Sequence, residues 1–184
     1  MKRAWLLGLL LLGCQSSQPQ PGTEVEHIPT KIKTGPVPDP TPVAKITKQS
    51  DNRIFALDTL EKAKVKLPKQ TIDAWIMDDG SKRQEGMMWL SDEEVKPDQG
   101  MLFVFAQEKP QSFWMENTFI PLDIVYIDSK GKVVSIAQGK ALDRTGLPSA
   151  GPAQYVLELK GGEAGKLGIK PGVVLGLPTL TPKE

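Results

Sequence analysis

From Thr71 onward the chain changes character every few residues, and this rhythm constrains the fold more than any other feature. "QTIDAWIMDD" alternates Ile72, Ala74 and Ile76 against Thr71, Asp73 and Trp75, the period of a strand. "GMLFVF" is a short apolar run that suits a buried strand, and "QSFWME", "LDIVYID", "VVSIA" and "AQYVLEL" follow as further strands. "DSKGK" reads as a hairpin turn, with Gly131 free to take a positive φ. Residues 138–152 are rich in breakers and read as a loop, and "PGVVLGL" is expected to close the sheet. Upstream, "IFALDTL" and "AKVKLP" read as one or two leading strands. Helix is expected in two places only. "SKRQEGMMWL" offers Ser81 and Gln84 as a capping box, and Ser91 with Glu94 repeats the pattern. "GGEAGKLGI" allows one or two more turns. Many short strands with little helix predict a mainly β domain, an antiparallel sandwich or barrel with one or two short helices.

The first third is different. "MKRAWLLGLLLLGC" places Lys2 and Arg3 before an apolar run, then Gly13 and Cys14. The run is about half the roughly 20 residues a membrane span needs, so it reads as a secretory signal. "LLGC" resembles the bacterial lipobox, in which cleavage precedes the Cys and the thiol receives a diacylglycerol. The reading is therefore a signal peptide at 1–13 and acylation (palmitate) at Cys14, a membrane anchor on the cell envelope. Gln15 stands where inner-membrane retention often uses Asp, which points to the periplasmic face of the outer membrane where two membranes exist. Residues 14–52 read as a tether. Its "GPVPDPTP" favours extended polyproline backbone, because each Pro fixes its own φ and biases its predecessor away from helix. The domain then occupies 53–184.

Inventory excludes several chemistries. Cys14 is the single Cys and His27 the single His of 184 residues. The folded part therefore offers no thiol nucleophile, no Ser-His-Asp triad and no Cys or His metal site. No cofactor is implied. The net charge is +1 with scattered basic residues, which gives no footprint for nucleic acid.

Several stretches in order carry a family resemblance: "RQEGMMWL", "GMLFVF", "FWMENT", "PLDIVYI", "YVLE" and the late "GIKPG". Together they resemble the bacterial and archaeal family known as domain of unknown function 192, over about residues 70–177. The resemblance implies a compact, mainly β domain, similar to a jelly-roll-like sandwich, and implies no activity. Members often carry an Arg soon after the first motif, where this chain has Trp89-Leu90-Ser91.

"FWMENTFIPLDIVYID" concentrates the candidate site residues. Trp114 is a candidate stacking platform for a sugar or ring ligand. Asn117 and Thr118 suit either ligand binding or a turn fixed by side chain to backbone bonds. Asp123 is a candidate ligand-binding residue. Glu116 and Asp123 are the weak candidates for paired-acid catalysis, which needs two carboxylates facing one cleft. Glu158 is expected on the exposed face of its strand. The Met residues of "GMMW" and "GML" are core filler before they are a soft-metal site. The resulting expectation is a membrane-anchored binding or structural module with a small-molecule or glycan ligand. The alternative is a carboxylate-dependent hydrolase of envelope glycans.

Overall fold

The computed structural model describes residues 49–183. The signal peptide, Cys14, His27 and nearly all of the expected tether lie outside the described residues. The first element is a 3-10 turn, Gln49–Asn52. Six strands follow: β1 Lys62–Lys66, β2 Thr71–Met77, β3 Gln99–Phe113, β4 Leu122–Ile127, β5 Val133–Gly139 and β6 Leu147–Lys160. The two helices are short, α1 Gly80–Glu85 and α2 Glu163–Lys166. The mainly β expectation holds.

All six strands form one sheet in the order β1-β2-β3-β6-β4-β5. The sheet is mixed rather than wholly antiparallel, because β2 and β3 run parallel. A parallel pair cannot be joined by a tight hairpin and needs a crossover. Residues 78–98 supply it, with α1 and a 3-10 turn at Asp92–Glu94. The sheet is not closed into a barrel. "PGVVLGL" forms no strand, only two isolated bridges, Lys66 to Gly176 and Lys132 to Val174.

Both faces of the sheet are covered. One face packs Ile72, Ile76, Leu102, Val125 and Leu157 against Leu167, Ile169 and Leu175 of the C-terminal segment. The other packs Trp75, Met77, Phe103, Ile124, Tyr126 and Val156 against Met87, Leu90 and Met115 of the connections. This explains why β4 reads as an unbroken apolar run with every residue buried, as expected of a strand covered on both sides.

Local details depart from the sequence reading for physical reasons. "GMLFVF" and "QSF" belong to a single strand, β3, whose register against β6 shifts between Val104 and Lys109. The exposed residues 106–110 between those runs are carried along by pairing. The loop expected at 138–152 is shorter, because β5 extends to Gly139 and β6 begins at Leu147. Helix α1 is capped by Asp79, which accepts from the Lys82 amide, and not by Ser81. The second capping box is present, with the Glu94 carboxylate accepting from the Ser91 amide. "IFALDTL" is turns, not a strand. The amides of Ile54 and Phe55 are taken by the Glu85 carboxylate, so they have none to offer a neighbouring strand.

Candidate functional site

Strand β3 ends at Phe113, and the next two side chains part company. Met115 is fully buried and Trp114 is 45% exposed. Asn117 takes φ +49 in the turn that follows, a region Asn tolerates better than most residues. Its carbonyl accepts the amide of Trp89. The Thr118 hydroxyl donates to the Glu116 carbonyl, and its own amide donates to the Met115 carbonyl. Thr118 is therefore satisfied inside the turn.

Trp114 forms one wall of a cleft of about 290 Å³, close to the lower end of known ligand pockets. Phe105, Phe113, Arg83, Gln84, Gln111 and Ser112 complete it. Arg83 lies over the Phe105 ring, 5.3 Å from its centre, and donates to the carbonyls of Asp78 and Val104. The cleft thus joins aromatic faces to amide and hydroxyl groups.

The two acids of the "FWMENTFIPLDIVYID" stretch do not act together. Glu116 pairs with Arg144 on the surface. Asp123 is buried, and its Oδ2 accepts the amide of Ala164 at 2.9 Å, in the first turn of α2. It lines two shallow clefts beside Gly162 and Gln138, and Glu116 lines neither. Of the four candidate ligand residues, Trp114 and Asp123 reach a cleft, Thr118 bonds within its own turn, and Asn117 shapes that turn.

The most unusual electrostatic group lies elsewhere. Glu158 is not on an exposed face. It is 4% exposed, on the central strand β6 between Met101 and Ile124 of its neighbours. Burial pushes its carboxyl up to about 8, against the opposing influence of the Met87 amide and the Arg53 guanidinium. Its Oε2 has no hydrogen-bond partner among the described residues. A Cβ at Gly86 would stand 3.3 Å from that oxygen and 3.0 Å from Phe103 Cζ. Gly86 also sits at φ +47, so two reasons favour Gly there. Close by, Tyr126 donates its hydroxyl to the Leu147 carbonyl, and burial raises its pKa well above the ordinary value.

Sequence reasoning missed this cluster. The signal was present in "YVLEL": an acid inside an apolar run has no exposed face if both sides of the strand are covered. Arg53 and Glu85 gave no comparable signal, because Arg53 stands in irregular chain and two strands separate it from the acid it pairs with.

Comparisons with known proteins agree with the fold. A family model, domain of unknown function 192, described as "Uncharacterized ACR", matches residues 62–177. A crystal structure from Sinorhizobium meliloti 1021, provisionally described as a transcription regulator, is 32% identical with a TM-score of 0.60. The alignment covers 64% of this chain and 94% of that one. A protein of unknown function from Novosphingobium aromaticivorans DSM 12444 is 29% identical with a TM-score of 0.59, covering 73% of this chain and 99% of that one. No curated protein matches the chain.

Proposed function

We propose that this chain, which belongs to the domain of unknown function 192 family, is a binding module that presents the Trp114 cleft to a small glycan or ring-bearing ligand at the cell envelope. The observation that carries the reading is the exposure of Trp114 beside Phe105, Phe113, Gln84 and Gln111. A large aromatic left half in water loses the benefit of burial unless a ligand covers it. Aromatic faces with the exposed Gln84 amide beside them suit the apolar face and hydroxyls of a sugar ring, while Gln111 is buried and donates to the Ala153 carbonyl.

Trp114→Ala separates this reading from a structural one. Calorimetric titration with envelope-derived oligosaccharides is expected to show binding by the native chain and at least a roughly tenfold loss in the variant. The melting temperature is expected to stay within about 2 °C, since the removed side chain is only partly buried. Loss of binding together with a large fall in melting temperature, or binding unaffected by the substitution, would count against the cleft.

The alternative, a carboxylate-dependent glycan hydrolase, has weaker support. It asks Glu116 and Asp123 to share a cleft, and each has another partner. The transcription-regulator description belongs to the S. meliloti protein. A chain of net charge +1 offers no comparable electrostatic argument for DNA.

Attachment through Cys14 is the second part of the proposal, supported by the charged start, the short apolar run and "LLGC". Mass spectrometry of the protein from native membranes is expected to show a chain beginning at Cys14 and carrying acyl groups. A chain that starts elsewhere, or an unmodified Cys14, would remove the anchor.

A further inference from the structure

The Trp114 cleft has a neighbour. A second cleft, of about 350 Å³, adjoins it, since Gly80 and Gln84 line both. Ile54, Met88 and Trp89 give the second cleft its apolar surface, and Ser81 adds a hydroxyl. Ile54 is 78% exposed, and Met88 and Trp89 are half-buried.

One turn sets both tryptophans. Trp114 leads into it, and its Asn117 carbonyl accepts the amide of Trp89 at 2.8 Å. Trp89 sits at φ +65, a value that bulky residues rarely adopt. Its ring is tilted against Phe119, with centres 5.9 Å apart. Backbone strain of this kind persists only where the surroundings enforce it, and it clusters at ligand sites.

Nothing stands over Gly80, where the two clefts meet. A Cβ added there would find no atom within 4 Å. Gly80 opens helix α1, a place where almost any side chain would favour the helix more than Gly does. The charged groups of the two clefts are turned to other uses. Arg83 donates to the carbonyls of Asp78 and Val104. Glu85 accepts the amides of Ile54 and Phe55 and pairs with Arg53. An occupant therefore meets apolar surface and neutral hydrogen-bonding groups.

We propose that the two clefts form one groove for a linear, uncharged, N-acetylated glycan, with one sugar ring on Trp114 and a following ring beside Trp89. This deepens the reading of the Trp114 cleft as a glycan site and rests on it. An acetamido group joins a methyl to an amide donor and acceptor. It thus matches a cleft in which Ile54 and Met88 stand beside Ser81 and Gln84, whereas a plain hydroxyl leaves the apolar wall in water.

Calorimetric titration of the full chain with three probes tests the groove: N-acetylglucosamine, its β-1,4-linked trimer, and the glucose trimer of the same linkage. The N-acetylated trimer is expected to bind at least about tenfold more tightly than either of the others. Gly80→Leu places a side chain where the clefts meet, and Ile54→Ser removes exposed apolar surface from the second. Each is expected to cut the trimer's advantage over the monomer to about threefold or less. Both variants are expected to melt within about 2 °C of the native chain, because neither removes a buried contact. Binding that depends on Trp114 yet is equal for monomer and trimer overturns the second half of the groove and leaves the first. A trimer advantage that survives both substitutions, or that the glucose trimer shares, overturns it as well. No binding of any probe overturns the groove and the glycan reading of Trp114 together.

Discussion

Glu158→Gln is expected to leave stability nearly unchanged at pH 5 and to raise it strongly at pH 8. The carboxyl is pushed up to about 8 in the fold, against an ordinary value near 4.5. Between those values the native state holds a proton that the unfolded state has released. Stability therefore falls as pH rises through this window, because the unfolded state binds fewer protons than the native one. Each pH unit of the window contributes about 1.4 kcal/mol, which gives on the order of 4–5 kcal/mol across it. Gln keeps the shape and an acceptor for the Met87 amide, and it has no proton to lose. The charged and titratable groups around the site are Arg53 from the N-terminal segment, Glu85 at the end of α1, Glu94 of the 3-10 turn and Tyr126 of β4. Arg53 favours ionised Glu158, but burial outweighs it. Urea unfolding at pH 5, 6.5 and 8 checks this. The gap between variant and native chain should widen steadily with pH, and parallel curves would show that the acid is not held neutral.

The sequence exposed the fold and concealed its centre for related reasons. Strands β2, β4 and β6 were legible because apolar residues recur in short runs between Gly, Pro and Asp breakers. The parallel pairing of β2 with β3 was not legible, since the crossover at residues 78–98 looks like any other pair of short helical segments. Within the site, Trp114 stood out as a large aromatic just before the polar run Glu116-Asn117-Thr118, and it is half exposed at the cleft. Asp123 stood out as an acid among apolar neighbours, but its partner is the Ala164 amide, 41 positions away. The pairing of Arg53 with Glu85 has no periodic signature at all. It depends on a backbone excursion that periodicity cannot register, and "IFALDTL" is apolar enough to be mistaken for a strand.

Phe103→Ala is expected to be the most destabilising truncation in the core near this site, and its cost should depend on pH. Phe103 is 1% exposed and packs edge-on against Phe113, with ring centres 4.9 Å apart. Truncating a buried Phe removes transfer free energy and leaves a cavity, about 3–5 kcal/mol together. The cavity would open beside Gly86, because Phe103 Cζ and Glu158 Oε2 both border the point where a Gly86 Cβ would stand. Apolar cavities stay dry, but one bounded by an unpartnered carboxyl oxygen offers water a polar contact. Water there would solvate Glu158 and return its carboxyl toward ordinary values. Part of the penalty that the native protein carries at pH 8 would then vanish in the variant. The loss measured by urea unfolding should accordingly be near its full size at pH 5 and smaller by roughly a kilocalorie per mole or more at pH 8. In the double variant with Glu158→Gln that pH dependence should disappear, since no proton remains to be released. A loss from Phe103→Ala that is the same at both pH values would show that the ring does not keep water from Glu158.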